Sequence, residues 1–268
     1  MLAEELLAAY TDGRLIEVPP SARDPAFDIV AACAVEAEIA ALRRAGGHPS
    51  VGRKVGFANR ALWRLHKLES VLWAHMYDDT VRFAEAGAAE LGLGRMHAPK
   101  LEPEIVFRLK HAPRGDPADP AETLGAVEWL ALGFEIVDCR YPGWKFRPAD
   151  FVAALGLHAG LIVGEAVRVE AGMLPRLAEQ LAAFKVRLLR DGGLVSEGSG
   201  ANVLGSPALC LGELASGIAR RPQAEPLAAG ELIATGALTE NQFIAPGETW
   251  TVQVEGLELP SLTLGTTA

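Results

Sequence analysis

Hydrophobic and polar positions change rhythm along this chain. In "DPAFDIVAACAVEAEIAALRRAGG" apolar residues recur at helical spacing. Asp24 is placed to cap the start, Pro25 lies in the first turn, Arg43 and Arg44 in the last, and Gly46 just beyond, so a helix is expected. Strand-like "GRKVGFA" follows, then a further helical pattern in "NRALWRLHKLESVLWA" and the segment "HMYDDTV". From about residue 100 short strands divided by turns take over. "HAPRGDPADP" reads as a Pro-rich loop, and "ETLGAVEWLAL" as a helix running into "GFEIVDCR". "FKVRLLRDGGLVSEGS" reads as two strands around Asp191, Gly192 and Gly193, while "GELIATGALT" and "ETWTVQVEGL" close the chain as strands. The pattern predicts an α+β chain, with a helical N-terminal region over residues 1–90 and a β-rich body over 91–268, read as one structural unit.

One strand carries an anomaly. "KLEPEIVF", residues 100–107, is largely apolar, yet Glu102 and Glu104 stand two apart and so point to the same face of a sheet. Glu135, between Phe134 and Ile136, is a third acid in apolar surroundings, where an ionised carboxylate is costly unless paired or bound to a metal. Three such carboxylates suit an octahedral Mg²⁺ or Mn²⁺ with positions left for water and substrate. An exposed edge strand is the other reading, and Pro103 fits it because proline favours edges and bulges. Glu36 and Glu38 share the same spacing, but on a helix they diverge by about 200° and are expected to be solvated surface charges.

Composition narrows the partners. Half of the 268 residues are hydrophobic, enough for a large core, and 25 Lys plus Arg against 34 Asp plus Glu leave a net charge of -9. That balance argues against a nucleic-acid or anionic-membrane surface and favours small molecules or further copies of the chain. Cys33, Cys139 and Cys210 are widely spaced, as in reducing compartments. The acidic start "MLAEELLAAY" does not read as a signal peptide and no run is long enough to span a membrane, so a cytoplasmic protein is expected.

The ordered set "GRKVGF", "MYDDT", "PKLEPEIVF", "FEIVDCR", "GSGANVLGSP", "TGALT" and "APGETWTVQVEGL" resembles the fumarylacetoacetate hydrolase superfamily, within it the 2-hydroxypenta-2,4-dienoate hydratase and 4-oxalocrotonate decarboxylase branch. The resemblance implies a mixed β-roll body and a metal-dependent enzyme of aromatic-compound breakdown acting on 2-oxo acids or their enols. It makes Glu102, Glu104 and Glu135 the ligands of Mg²⁺ or Mn²⁺, Lys54, Asp78 and Asp79 active-site groups, and the Thr235–Gly236 turn a substrate contact. A 2-oxo acid chelates a divalent ion, which then stabilises an enolate, so the implied reaction is dienoate hydration or vinylogous decarboxylation. Lys54 would add positive charge at the enolate, and Asp78 or Asp79 would move the proton; a solvated turn or helix cap is the alternative for that pair.

Other features keep alternatives open. His66 and Glu69, one turn apart, match the water-activating His and Glu of hydrolytic relatives and would make the chain an acylpyruvate-type hydrolase; a surface pair is the other reading. Where the hydratase and decarboxylase relatives carry a small polar Asn and Ser cluster, this chain has "GLH", Gly156 to His158. His158 there is either a substrate contact or a packed core histidine. That departure also allows a catalytically silent subunit that partners an active relative. A homo-oligomer, or a complex with a related enzyme, is the assembly the resemblance implies.

Overall fold

Alternation along "KLEPEIVFRL" sends Leu101, Ile105, Phe107 and Leu109 into the main core, which leaves Lys100, Glu102, Glu104 and Val106 for the opposite face. The computed structural model describes residues 1–114, 116–221 and 223–268. In chain order, α1 (Leu2–Asp12), α2 (Pro20–Arg23) and α3 (Ile29–Ala45) precede β1 (Ser50–Gly56), α4 (Arg60–His66), β2 (Leu72–Tyr77), β3 (Val81–Phe83) and β4 (Ala88–Gly92). Next come β5 (Lys100–Leu109), α5 (Pro120–Leu124), β6 (Val127–Val137), α6 (Pro148–Ala153), β7 (His158–Val163) and β8 (Val167–Arg168). The chain ends with α7 (Leu174–Ala183), β9 (Lys185–Arg190), β10 (Gly193–Ser199), α8 (Pro207–Ala219), β11 (Leu232–Ala234), β12 (Gln242–Phe243), β13 (Thr249–Glu255) and β14 (Leu262–Thr267).

Two mixed sheets form the body. The larger runs β2-β1-β11-β5-β6-β7-β3, with β12 added to β5 and β8 to β6; the smaller runs β10-β9-β13-β14-β4. The main core joins them through Phe107, Leu132, Phe134, Trp250 and Leu264, with Leu181 of α7 and Leu211 of α8. A second core seats α1, α3 and α6 through Leu6, Ile39, Phe151 and Val152. The boundary at residue 90 does not separate the sheets: β1 pairs with β11, and β4, which contains residue 90, pairs with β14. Among the described residues no helix is long and apolar enough to cross a membrane.

Several local expectations change. Asp28, rather than Asp24, caps α3, accepting from Ala31 N–H at 2.9 Å, because a turn closed by Phe27 N–H on Asp24 C=O intervenes. The helix from "NRALWRLHKLESVLWA" stops at Lys67, a left-handed C-cap at φ +54°, and the rest enters β2. "VEWLAL", expected as helix, is strand, because β5 pairs along one side of it and β8 bonds Trp129 and Leu130 on the other. Glu36, expected in solvent, is buried where α3 covers β2 and accepts from His75 N–H at 2.9 Å. The hairpin holds: Asp191 and Gly192 both have positive φ, as a two-residue turn between twisted strands requires. Gly115 of the Pro-rich loop lies outside the described residues.

β5 is not an edge strand. Leu238 N–H donates to Pro103 C=O from the 235–241 segment, so the missing proline N–H faces the gap between β11 and β12 while β6 pairs along the other side.

Candidate active site

Register builds the cluster. Glu102 lies directly opposite Glu135 across the antiparallel β5–β6 pair, and opposed residues share a face; Glu104 is one repeat further along it. Oxygens of the three carboxylates lie within 4.8 Å of one another, and Glu104 and Glu135 are wholly buried. β1 brings Lys54, 2% exposed, with its ammonium 2.9 Å from Glu135 Oε2. Gly156 makes this possible: a Cβ there would stand 2.5 Å from Lys54 Cδ, and its φ of +63° suits glycine.

Each carboxylate has its own support. Gly236 N–H donates to Glu104 Oε2 at 2.8 Å from a turn with φ +107°, while Glu104 Oε1 is buried with no partner. Asn241 Nδ2 donates to Glu102 Oε1 at 3.2 Å, and His158 Nδ1 meets Glu135 Oε1 at 2.9 Å. Burial pushes Glu102 up and Glu104 well above the usual carboxylate range, and the neighbouring carboxylates add to it. Burial pushes Glu135 upward too, but Lys54 and His158 outweigh it and hold Glu135 below that range. For Lys54 burial favours the neutral amine, and the glutamates, Glu135 foremost, reverse this and raise it.

Three carboxylates against one lysine leave excess negative charge, and Glu104 Oε1 lacks any donor. An all-oxygen donor set of this kind fits a hard divalent cation. Lys54 and Glu102 of this cluster lie on the wall of a cavity of about 600 Å³, which Phe146 and Phe151 also line.

A carboxyl whose folded pKa exceeds its unfolded value stabilises the fold fully below the unfolded value and loses that contribution as pH rises through the folded one. For Glu102 and Glu104 the loss therefore begins above 4.5. Glu135, lowered, works in the opposite sense: its contribution is present above 4.5 and disappears as pH falls through its folded value. A bound cation removes the repulsion between the acids. The Mg²⁺-induced rise in thermal midpoint is accordingly expected to grow from about pH 5 to about pH 8. Melting curves with MgCl₂ or EDTA check this; a rise independent of pH would contradict it.

Other candidates lie elsewhere. Asp78 and Asp79 form the turn after β2, four and five residues past Ala74, the strand partner of Lys54. That displacement is roughly 13 Å or more along the strand, outside the cavity. Arg43 pairs with Asp79, and His48 Nδ1 lies 3.3 Å from Asp78. His66 and Glu69 are exposed and outside the cavity wall, although the His66 ring meets Phe57, which lines it, at 5.5 Å. Thr235 is buried, its hydroxyl donating to Ile105 C=O at 2.9 Å, whereas Gly236 lines the cavity. His158 stands behind Glu135, with Nε2 3.0 Å from Thr80 Oγ1.

Sequence reading passes over Asn241 and Lys100, and takes Gly156 only as part of the departure at 156–158. Lys100 could have been found, because it precedes Glu102 at the same two-residue period; nothing in the spacing marks Asn241 or Gly156.

Comparisons with known proteins agree with this architecture. Residues 71–263 match the family described as fumarylacetoacetate (FAA) hydrolase C-terminal. A 4-oxalocrotonate decarboxylase from Pseudomonas sp. is 30% identical over 99% of this chain and 97% of its own. A 2-hydroxyhexa-2,4-dienoate hydratase from Comamonas testosteroni is 27% identical over 95% of this chain and 92% of its own. The solved 4-oxalocrotonate decarboxylase from Pseudomonas putida G7, complexed with magnesium and adipate, has a TM-score of 0.86 at 26% identity, covering 99% of this chain and 95% of that one.

Proposed function

Because the chain belongs to the fumarylacetoacetate hydrolase C-terminal family, we propose that it is a divalent-metal-dependent lyase acting on 2-oxo acids or their dienols. The reaction is hydration of a 2-hydroxydienoate or decarboxylation of a vinylogous 2-oxo diacid. One observation carries the site assignment: Glu102, Glu104 and Glu135 converge beside Lys54, and Lys54 and Glu102 line the cavity.

In this reading the three glutamates hold Mg²⁺, and Mn²⁺ suits the same oxygens. The cation supplies Lewis-acid stabilisation of negative charge at the 2-oxo group. Lys54 keeps Glu135 ionised and places a fixed ammonium beside the chelating end of the substrate, where low water content strengthens its field. Gly236 N–H and Asn241 orient Glu104 and Glu102, while Phe146 and Phe151 keep water from the substrate's carbon chain. The exposed positions of His66 and Glu69 give no support to the hydrolytic alternative.

The test is turnover by the purified chain with Mg²⁺. A 2-hydroxydienoate is followed by loss of dienol absorbance and a vinylogous 2-oxo diacid by CO₂ release. EDTA-sensitive consumption of either is expected. Folded, Mg²⁺-loaded protein that consumes neither would instead favour a silent partner subunit.

A further inference from the structure

The alternation that puts Glu102 on the cavity wall puts Lys100 there too, so the same face of β5 carries lysine, glutamate and glutamate in one row. Along the strand Lys100 stands roughly 7 Å from Glu102 and 13 Å from Glu104. Its ammonium lies 4.1 Å from the Trp144 ring centroid and 4.7 Å from that of Phe243, and these two rings meet edge to face at 6.3 Å. Among the described residues it forms no ion pair, unlike Lys54, which faces the same cavity but is engaged by Glu135. The aromatic faces hold the cation in place and leave N–H bonds free to donate.

Trp144 supplies a second donor. Its indole Nε1–H is buried without a partner. The residue sits at φ +58° directly after Gly143 at +66°, a left-handed conformation that costs a non-glycine residue energy and persists only where the surroundings impose it. Lys100 and Trp144 line both the active-site cavity and an adjoining cavity of about 480 Å³, so they lie on the wall the two share. Val137, Phe146, Phe151 and Leu157 give the space between the acids and Lys100 apolar walls. Glu240 is the remaining charged group on this lining; it is exposed and pairs with no cation among the described residues.

We propose that Lys100 and Trp144 Nε1 receive a carboxylate at the far end of the substrate, which selects 2-oxo dicarboxylic acids over monocarboxylic ones. The inference rests on the proposed function, since the chelating end of the substrate must lie at the three glutamates. An extended six-carbon chain spans roughly 6 Å, close to the step from Glu102 to Lys100. Apolar walls contact the carbons, and the cation with the unpartnered N–H meets the second charge.

Three unreactive ligands separate the parts: oxalate for the chelating end alone, 2-oxohexanoate for that end with an apolar tail, and 2-oxoadipate for the tail ending in carboxylate. Calorimetric titration into the Mg²⁺-loaded chain is expected to show 2-oxoadipate binding roughly 10- to 100-fold tighter than 2-oxohexanoate. Lys100→Met is expected to bring that ratio to within about twofold. Lys100→Arg retains much of it, and Trp144→Phe, which keeps a ring but removes the N–H, lowers it several-fold. Equal affinities in the unaltered chain, or a preference that survives Lys100→Met, would overturn the inference. So would a loss of oxalate affinity in Lys100→Met as large as the loss for 2-oxoadipate, because the lysine would then serve the chelating end. Oxalate that fails to bind the unaltered chain sinks the metal-chelate reading, and this inference with it.

Discussion

Glu104→Gln is expected to abolish turnover, by on the order of 10³-fold, and to weaken Mg²⁺ binding by at least about 100-fold. The side chain keeps its shape, and its amide oxygen can still accept the Gly236 N–H that Glu104 Oε2 now accepts at 2.8 Å. What changes is the atom aimed at the cluster. Glu104 Oε1, buried and without a donor, becomes an amide group that cannot ligate a cation strongly. The same change removes one charge from a buried group of three acids, so the metal-free variant should be more stable than the metal-free parent. A gain of ~1 kcal/mol corresponds to about 2–4 °C in thermal midpoint for a chain of this size. Activity falling while metal-free stability rises is a signature that simple misfolding cannot produce. Magnesium titration and melting of the same preparation decide it; undiminished Mg²⁺ affinity would remove Glu104 from the metal site.

Lys54→Met is expected to have the largest effect on stability. The lysine is 2% exposed, lies 2.9 Å from Glu135 Oε2 and is packed under the Phe151 ring at 5.4 Å. Methionine fills the aliphatic part of that space but leaves the buried glutamates without their cation. Removing one partner of a buried pair costs about 3–5 kcal/mol, so the metal-free variant should lose a large part of its stability near neutral pH. Magnesium should restore some of the loss, because a dication replaces the missing charge, while turnover stays about 10²- to 10³-fold low for want of the ammonium. Arginine should not rescue it, since Lys54 Cδ already lies where only Gly156 leaves room. Chemical denaturation with Mg²⁺ and with EDTA measures both parts. Equal stability of parent and variant in EDTA would mean that Lys54 does not neutralise the cluster.

How much of this was legible in the chain differs residue by residue. Glu102 and Glu104 were legible because strand periodicity is local: residues two apart share a face wherever the strand sits. Glu135 stood out as an acid among apolar neighbours, even though the segment leading to it reads as helix. That misreading has a simple cause, because an apolar run such as "VEWLAL" suits a buried helix as well as a strand, and only hydrogen bonding from β5 and β8 decides. Asp78 and Asp79 illustrate the converse. They follow Lys54 by about 24 residues in the chain, yet β2 runs antiparallel to β1 and carries them past the far end of the pair. Glu36 was misjudged for a related reason, since a helix shows its period but not which face a sheet will cover.

By itself, then, the sequence determined the α+β class, the Asp191–Gly192 hairpin, the shared face of Glu102 and Glu104, and the acidic balance that argues against a nucleic-acid surface. All of these depend on composition or on neighbours a few residues apart. Only the tertiary structure decided that Glu135 faces Glu102, that Lys54 reaches Glu135 past Gly156, that His158 braces Glu135 from behind, and that Lys100 meets Trp144 on the cavity wall. Those contacts join residues about 20 to more than 100 positions apart. They depend on strand register and backbone approach, which no local pattern encodes because one shift in pairing would turn each of these side chains to the other face.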